Sequence, residues 1–187
     1  MNNLINYKGD LSMTSKTSKR EELLKSILNV LSYEDIYNTI DYKRKNEDAI
    51  KQFMYQPLLT EIKNKYISKG YKNNTALKKA KESLIWESNK QTVLHNMICF
   101  GTQHRPDMEL NIDGLKIAIE VKKGSVGSDV RQGFGQCVVY STKYDFVIFL
   151  FVDTSDDKRI LNSMNSEKEK VIKELLWNNF NSLFSVV

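Results

Sequence analysis

Apolar and polar positions alternate most regularly in residues 105–123, and the alternation breaks once. Met108, Leu110 and Ile112 precede Asp113-Gly114, and Leu115, Ile117, Ile119 and Val121 follow it. Asp-Gly between two such runs predicts a two-residue β-hairpin, because both central positions tolerate positive φ. The register follows by counting: Ile112 opposite Leu115, Leu110 opposite Ile117, Met108 opposite Ile119 and Asp107 opposite Glu120.

Upstream of this hairpin the period is helical. Leu23, Leu24, Ile27, Leu28 and Leu31 predict a helix over 20–32. Ser32 caps a second, with Glu34 and Asp35 in its first turn. A third starts near Asn46 and carries Ile50, Phe53, Met54, Leu58, Leu59, Ile62 and Tyr66. Pro57 predicts a kink or a division into two shorter helices, and Gly70 a stop. Leu77, Ala80, Leu84 and Ser88 predict a helix over 74–88, and residues 93–101 read as a strand.

Downstream, Ser128 is placed as the cap of a helix that runs through Tyr140, although Gly133 and Gly135 weaken it. Close approach to a neighbouring backbone or a ligand would offset that cost. The β-branched and aromatic run Tyr144–Asp153 predicts a strand buried on both faces. An amphipathic helix over 166–180 closes the pattern. From residue 74 the order is α-β-β-β-α-β-α, which predicts an α/β domain with a mixed central sheet flanked by helices. Residues 1–20 read as a flexible basic arm and 21–73 as an N-terminal helical extension. That extension covers one side of the sheet or mediates dimerisation.

The second face of the hairpin carries the chemistry. Asp107 and Glu120 stand opposite each other there, and like charges in cross-strand contact repel. Lys122 lies diagonally beside Asp107, but one ammonium does not neutralise two acids. A divalent cation does, and Mg²⁺ takes one or two carboxylates together with water and phosphate. Two acids, a hard ion and an amine suit phosphodiester hydrolysis. The competing reading is a solvated hairpin face.

Pro106-Asp107 followed by Glu120-Val121-Lys122 resembles the motif of the PD-(D/E)xK nuclease superfamily, over about residues 74–153. Gln136 and Tyr140 resemble the Q-x-x-x-Y element of its RecB-like branch. The resemblance implies a restriction-endonuclease-like core and cleavage of DNA to 5′-phosphate and 3′-hydroxyl ends. It implies that Asp107, Glu120 and the Val121 carbonyl hold Mg²⁺, with Mn²⁺ able to substitute. A helix acid joins them, for which Glu87 is preferred over Glu82. Lys122 then aligns or deprotonates the attacking water. Arg105, Arg131, Gln136 and Tyr140 contact the nucleic acid, while Lys123 points to the other face. His104 sits at the mouth of this site, and His95 is not read as a ligand. A homodimer would give a double-strand cutter two such sites. A binding module without catalysis, an RNA-cleaving relative and a structural subunit are the alternatives.

Composition adjusts this picture only slightly. A net charge of +5 over 187 residues permits a polyanionic partner without demanding one. Two histidines argue against multi-histidine zinc chemistry. Cys99 and Cys137 form no metal motif and predict buried thiols in a reducing, cytoplasmic setting. No apolar run predicts a membrane span.

Overall fold

The computed structural model describes residues 15–38, 41–86, 96–164 and 166–187. Helix α1 (Ser15–Leu31) begins earlier than its periodicity predicts, so the end of the basic arm is helical. Helix α2 (Glu34–Asn38) follows, and then α3 (Glu47–Ser68). Asn46 caps α3 through its side chain, which accepts from the Ala49 N–H at 2.8 Å. Pro57 lies inside α3 without dividing it, contrary to the sequence expectation. The buried stripe runs through it, with Ile50 and Met54 before and Leu58, Leu59, Ile62 and Tyr66 after. Packing on both sides holds the helix together across the one lost hydrogen bond. At the far end, Gly70 (φ 89°) donates to the Ile67 carbonyl and Tyr71 to the Tyr66 carbonyl. This Schellman closure is the predicted stop.

Helix α4 (Asn73–Ser83) is shorter than predicted, because Leu84–Trp86 leaves it to become strand β1. Leu84, Ile85 and Trp86 pair antiparallel with Leu110, Glu109 and Met108. Of the predicted first strand, residues 93–95 lie outside the described residues, and the rest contains β2 (Met97–Cys99), which pairs with β3 (Thr102–His104) in a two-stranded ribbon separate from the main sheet.

The predicted hairpin forms as β4 (Met108–Ile112) and β5 (Leu115–Gly124), with Asp113 and Gly114 both at positive φ. Its register is the predicted one, from Ile112 opposite Leu115 to Met108 opposite Ile119. Helix α5 (Gly127–Tyr140) starts two residues early, with Val126 rather than Ser128 at its N-cap. A Cβ on Gly133 would lie 2.0 Å from the Phe149 ring, so close packing explains that glycine, whereas Gly135 faces open space. Strand β6 (Phe146–Asp153), helices α6 (Arg159–Ser163) and α7 (Glu167–Phe180) and strand β7 (Ser182–Val186) complete the chain. The sequence reading did not anticipate β7.

The main sheet has the order β1-β4-β5-β6-β7. Its first two pairings are antiparallel and its last two parallel, which makes it the expected mixed sheet. The N-terminal helices cover one face, where Ile50, Met54, Leu58 and Ile62 meet Met108, Leu110, Ile117 and Ile119. On the other face, Cys137 and Tyr140 of α5 and Leu176 of α7 meet Ala118, Val147, Phe149 and Phe151. The hairpin's polar face is therefore buried under α5 rather than solvated. Cys99 and Cys137 are free thiols, Cys137 buried. Among the described residues, no helix is long and apolar enough to cross a membrane.

Candidate active site

Asp107 sits one step before β4, beyond the last backbone pair of the hairpin. Its side chain supplies the acceptor that the ladder lacks there: Oδ2 accepts from the Val121 N–H at 2.7 Å. Glu120 lies mid-strand in β5 and is 1% exposed beneath α5. Asp107 thus lies beside the Glu120-Val121 peptide, one position beyond the last hairpin pair, and close enough for its charge to act on Glu120. Burial pushes the Glu120 carboxyl well above the usual carboxylate range, and the negative charge of Asp107 pushes it further. The Lys122 ammonium, 3.1 Å from Glu120 Oε1, opposes that shift. Glu120 Oε2 is buried and accepts no hydrogen bond. A buried carboxylate oxygen without a donor is costly and calls for an explanation; Glu21 Oε1 is another such atom, but Glu120 has a second acid and a lysine arranged around it.

Two further groups enter from α3, and the sequence reading missed both. Lys51 is buried, with Nζ 2.8 Å from Asp107 Oδ1 and 2.9 Å from Asp48 Oδ1. Glu47 reaches toward both lysines, 3.8 Å from Lys51 and 4.0 Å from Lys122, and its Oε2 accepts from the Lys123 N–H at 3.1 Å. In sequence, Glu47, Asp48 and Lys51 have the spacing of an ordinary surface ion-pair cluster on a helix. Nothing in that spacing marks Lys51 as buried. Only the docking of α3 against the hairpin does so. Lys123 points away, as predicted, and its ammonium holds the Lys43 and Lys45 carbonyls at 2.7 and 2.6 Å.

Helix α5 brings the Q-x-x-x-Y pair to the same place. Tyr140 is buried, and its hydroxyl donates to the Arg105 carbonyl at 2.8 Å. Burial raises its pKa, and the charge of Glu120 adds to the effect. Gln136, one turn earlier, has a buried Oε1 with no hydrogen-bond partner. Val121 places its side chain in the core and its N–H on Asp107.

The remaining predicted residues lie outside this cluster. Arg105 is exposed, and its backbone rather than its side chain meets Tyr140. Arg131 is exposed on α5, about 13 Å along the helix axis from Tyr140. His104 is half-buried on β3. Glu82 is exposed and 4.0 Å from Lys78. Glu87, the preferred helix acid, and His95 lie outside the described residues.

Among the described residues, no three His, Cys, Asp or Glu side chains cluster as a metal site. The local set is two carboxylates. That suits Mg²⁺, which binds through one or two carboxylates and completes its shell with water and phosphate oxygens. The unpaired Glu120 Oε2 beside Asp107 is the donor atom such an ion would take. No known protein family, curated protein or solved structure matches this chain.

Proposed function

We propose that the chain is a metal-dependent deoxyribonuclease of the PD-(D/E)xK type, built on a restriction-endonuclease-like core. The observation that carries this reading is the buried, unpaired Glu120 Oε2, set beside Asp107 and Lys122. The elements of the main sheet and the longer helices beside it run α4-β1-β4-β5-α5-β6-α7-β7, which contains the expected α-β-β-β-α-β-α order with β1 in place of the strand expected at 93–101 and β7 added, and this also supports it.

Asp107, Glu120 and the Val121 carbonyl would hold Mg²⁺ or Mn²⁺, with Glu87, which follows β1 in sequence rather than belonging to α4, as the further acid. The ion supplies Lewis acidity at the scissile phosphate and a lowered pKa for water. Asp107 is fixed for this by the Val121 N–H, and Glu120 Oε1 by the Lys122 ammonium. Lys122 directs its ammonium at the attacking water and offsets charge growing on the phosphate. Tyr140 positions the Arg105 loop through its hydrogen bond. Arg105, Arg131 and Gln136 meet the nucleic-acid backbone. A homodimer would supply a second site for the opposite strand.

A second reading is a nucleic-acid- or partner-binding module that has lost catalysis. The Lys51–Asp107 ion pair favours it, because it already neutralises one of the two acids. An RNA-cleaving relative is the third.

The test is incubation with plasmid, linear and single-stranded DNA, and with RNA in parallel, in Mg²⁺ or Mn²⁺. Asp107→Ala and Lys122→Ala are each expected to lower cleavage by about 10²–10⁴-fold while DNA binding persists. Near-normal turnover in either variant overturns the nuclease reading. Metal-dependent binding without cleavage of any substrate selects the second.

A further inference from the structure

Lys51 adds a cation that the hairpin motif does not contain. It is 4% exposed, and a buried ammonium needs a matching charge close by. Asp107 is the buried match, at 2.8 Å. The other two carboxylates near Lys51 are more open: the Asp48 side chain is 68% exposed and the Glu47 side chain 31%.

Both oxygens of Asp107 are engaged, Oδ1 by the Lys51 ammonium and Oδ2 by the Val121 N–H. The backbone N–H is fixed in β5, so a dication that takes Asp107 meets Lys51 first. Two like charges cannot share one carboxylate oxygen, and the ammonium must withdraw. Lys122 pairs with Glu120 and is the amine that the chemistry needs. Lys51 already touches Asp48 and lies within 3.8 Å of Glu47, so it can leave Asp107 without losing all carboxylate contact.

We propose that Lys51 is a built-in counter-ion of Asp107 that yields to a divalent cation, moving onto Asp48 and Glu47 as the ion takes Asp107. The N-terminal helical extension then sets how tightly the site holds its metal. In this role Lys51 is a positioning and gating residue, not a catalytic one. The inference rests on the metal-dependent reading of the site.

Mn²⁺ binding to the full chain, measured by calorimetry without DNA, tests it. Lys51→Gln keeps a donor for Asp107 Oδ1 but removes the charge, and Lys51→Arg keeps the charge. Lys51→Gln is expected to bind Mn²⁺ about tenfold tighter than the unaltered chain, and Lys51→Arg within about threefold of it. Melting with and without Mn²⁺ provides a second readout, with the larger upward shift expected in Lys51→Gln. Equal or weaker Mn²⁺ binding by Lys51→Gln overturns the counter-ion, while binding that Asp107→Asn abolishes keeps the metal site. A Lys51→Gln chain that stays unfolded at saturating Mn²⁺ gives Lys51 a structural part only and also overturns it. Absence of Mn²⁺ binding in all the chains removes the metal-dependent reading, and this inference with it.

Discussion

The sheet buries acids at two places, and what surrounds them differs. At the end of β6, Asp153 is fully buried and saturated with donors. Its Oδ1 accepts from the Ser155 N–H and Oγ–H at 2.8 and 2.6 Å, and its Oδ2 from the N–H groups of Ile160 and Leu161 at 3.0 Å each. Where β4 begins beside β5, Asp107 meets one N–H and one ammonium, and Glu120 meets one ammonium with the Tyr140 hydroxyl nearby, while its Oε2 has no partner. Burial pushes both Asp153 and Glu120 upward. At Asp153 the hydrogen bonds win and hold the carboxyl below its usual range. At Glu120 burial wins, and the neighbouring Asp107 charge reinforces it. Burial alone therefore does not set the direction of the shift. The donors each oxygen meets do.

If that distinction is right, Asp153 is the acid whose loss harms folding most. Asp153→Asn replaces one accepting oxygen by an NH₂ group that faces N–H donors. We expect a loss of about 3 kcal/mol in urea unfolding near neutral pH. The pH dependence has a definite sign. A carboxyl held below its ordinary pKa stabilises the fold fully above that pKa, and the contribution is lost as pH falls through the depressed folded value. The gap between Asp153→Asn and the unaltered chain should therefore narrow in acid. A substitution without measurable cost would break the comparison at its structural end.

The sequence showed one of these two regions better than the other. Strict alternation and Asp113-Gly114 specify the hairpin register, so the pairing from Ile112 and Leu115 to Met108 and Ile119 was legible in the sequence. Period 2 does not say what lies above a face, however. The polar face was readable as solvated because nothing local announces that α5 packs on it. Lys51 and Glu47 were illegible for a similar reason, since they reach the site through tertiary docking across a long sequence separation. Leu84-Ile85-Trp86 continues the apolar stripe of α4, and only pairing with β4 makes it a strand. Asp153 was readable as the start of a polar loop, because its four donors come from residues that fold back onto it.

A fourth buried acid lies between the two extremes. Glu109 shares the face of Glu120 and accepts from the Tyr144 hydroxyl at 2.6 Å, with both residues buried. Tyr144→Phe removes that donor and leaves the carboxylate in place. The expected cost is about 1–2 kcal/mol in chemical denaturation, smaller than for Asp153→Asn because one donor is lost rather than two displaced. A larger cost than at Asp153 would show that counting donors does not rank these sites.

Glu120→Gln should have the smallest effect on folding, and the opposite sign. A carboxyl whose pKa is raised in the folded state opposes folding when it ionises. That penalty is absent at low pH and grows as pH rises from the ordinary carboxylate range toward the raised value. Glutamine imitates the neutral acid and escapes the penalty. Without metal, Glu120→Gln should match the unaltered chain near about pH 4 and exceed it by up to about 1 kcal/mol near about pH 8. Lys122 loses its partner in this variant, but it is partly exposed and can turn to water, so the offset is small. Adding Mg²⁺ should reverse the order, because an ion that binds only the folded chain stabilises it by mass action and the variant lacks a ligand for it. Thermal melts at both pH values, with and without Mg²⁺, read all four cases. A loss comparable to that of Asp153→Asn at every pH would make Glu120 a second structural acid. The unpaired oxygen would then no longer separate the two regions.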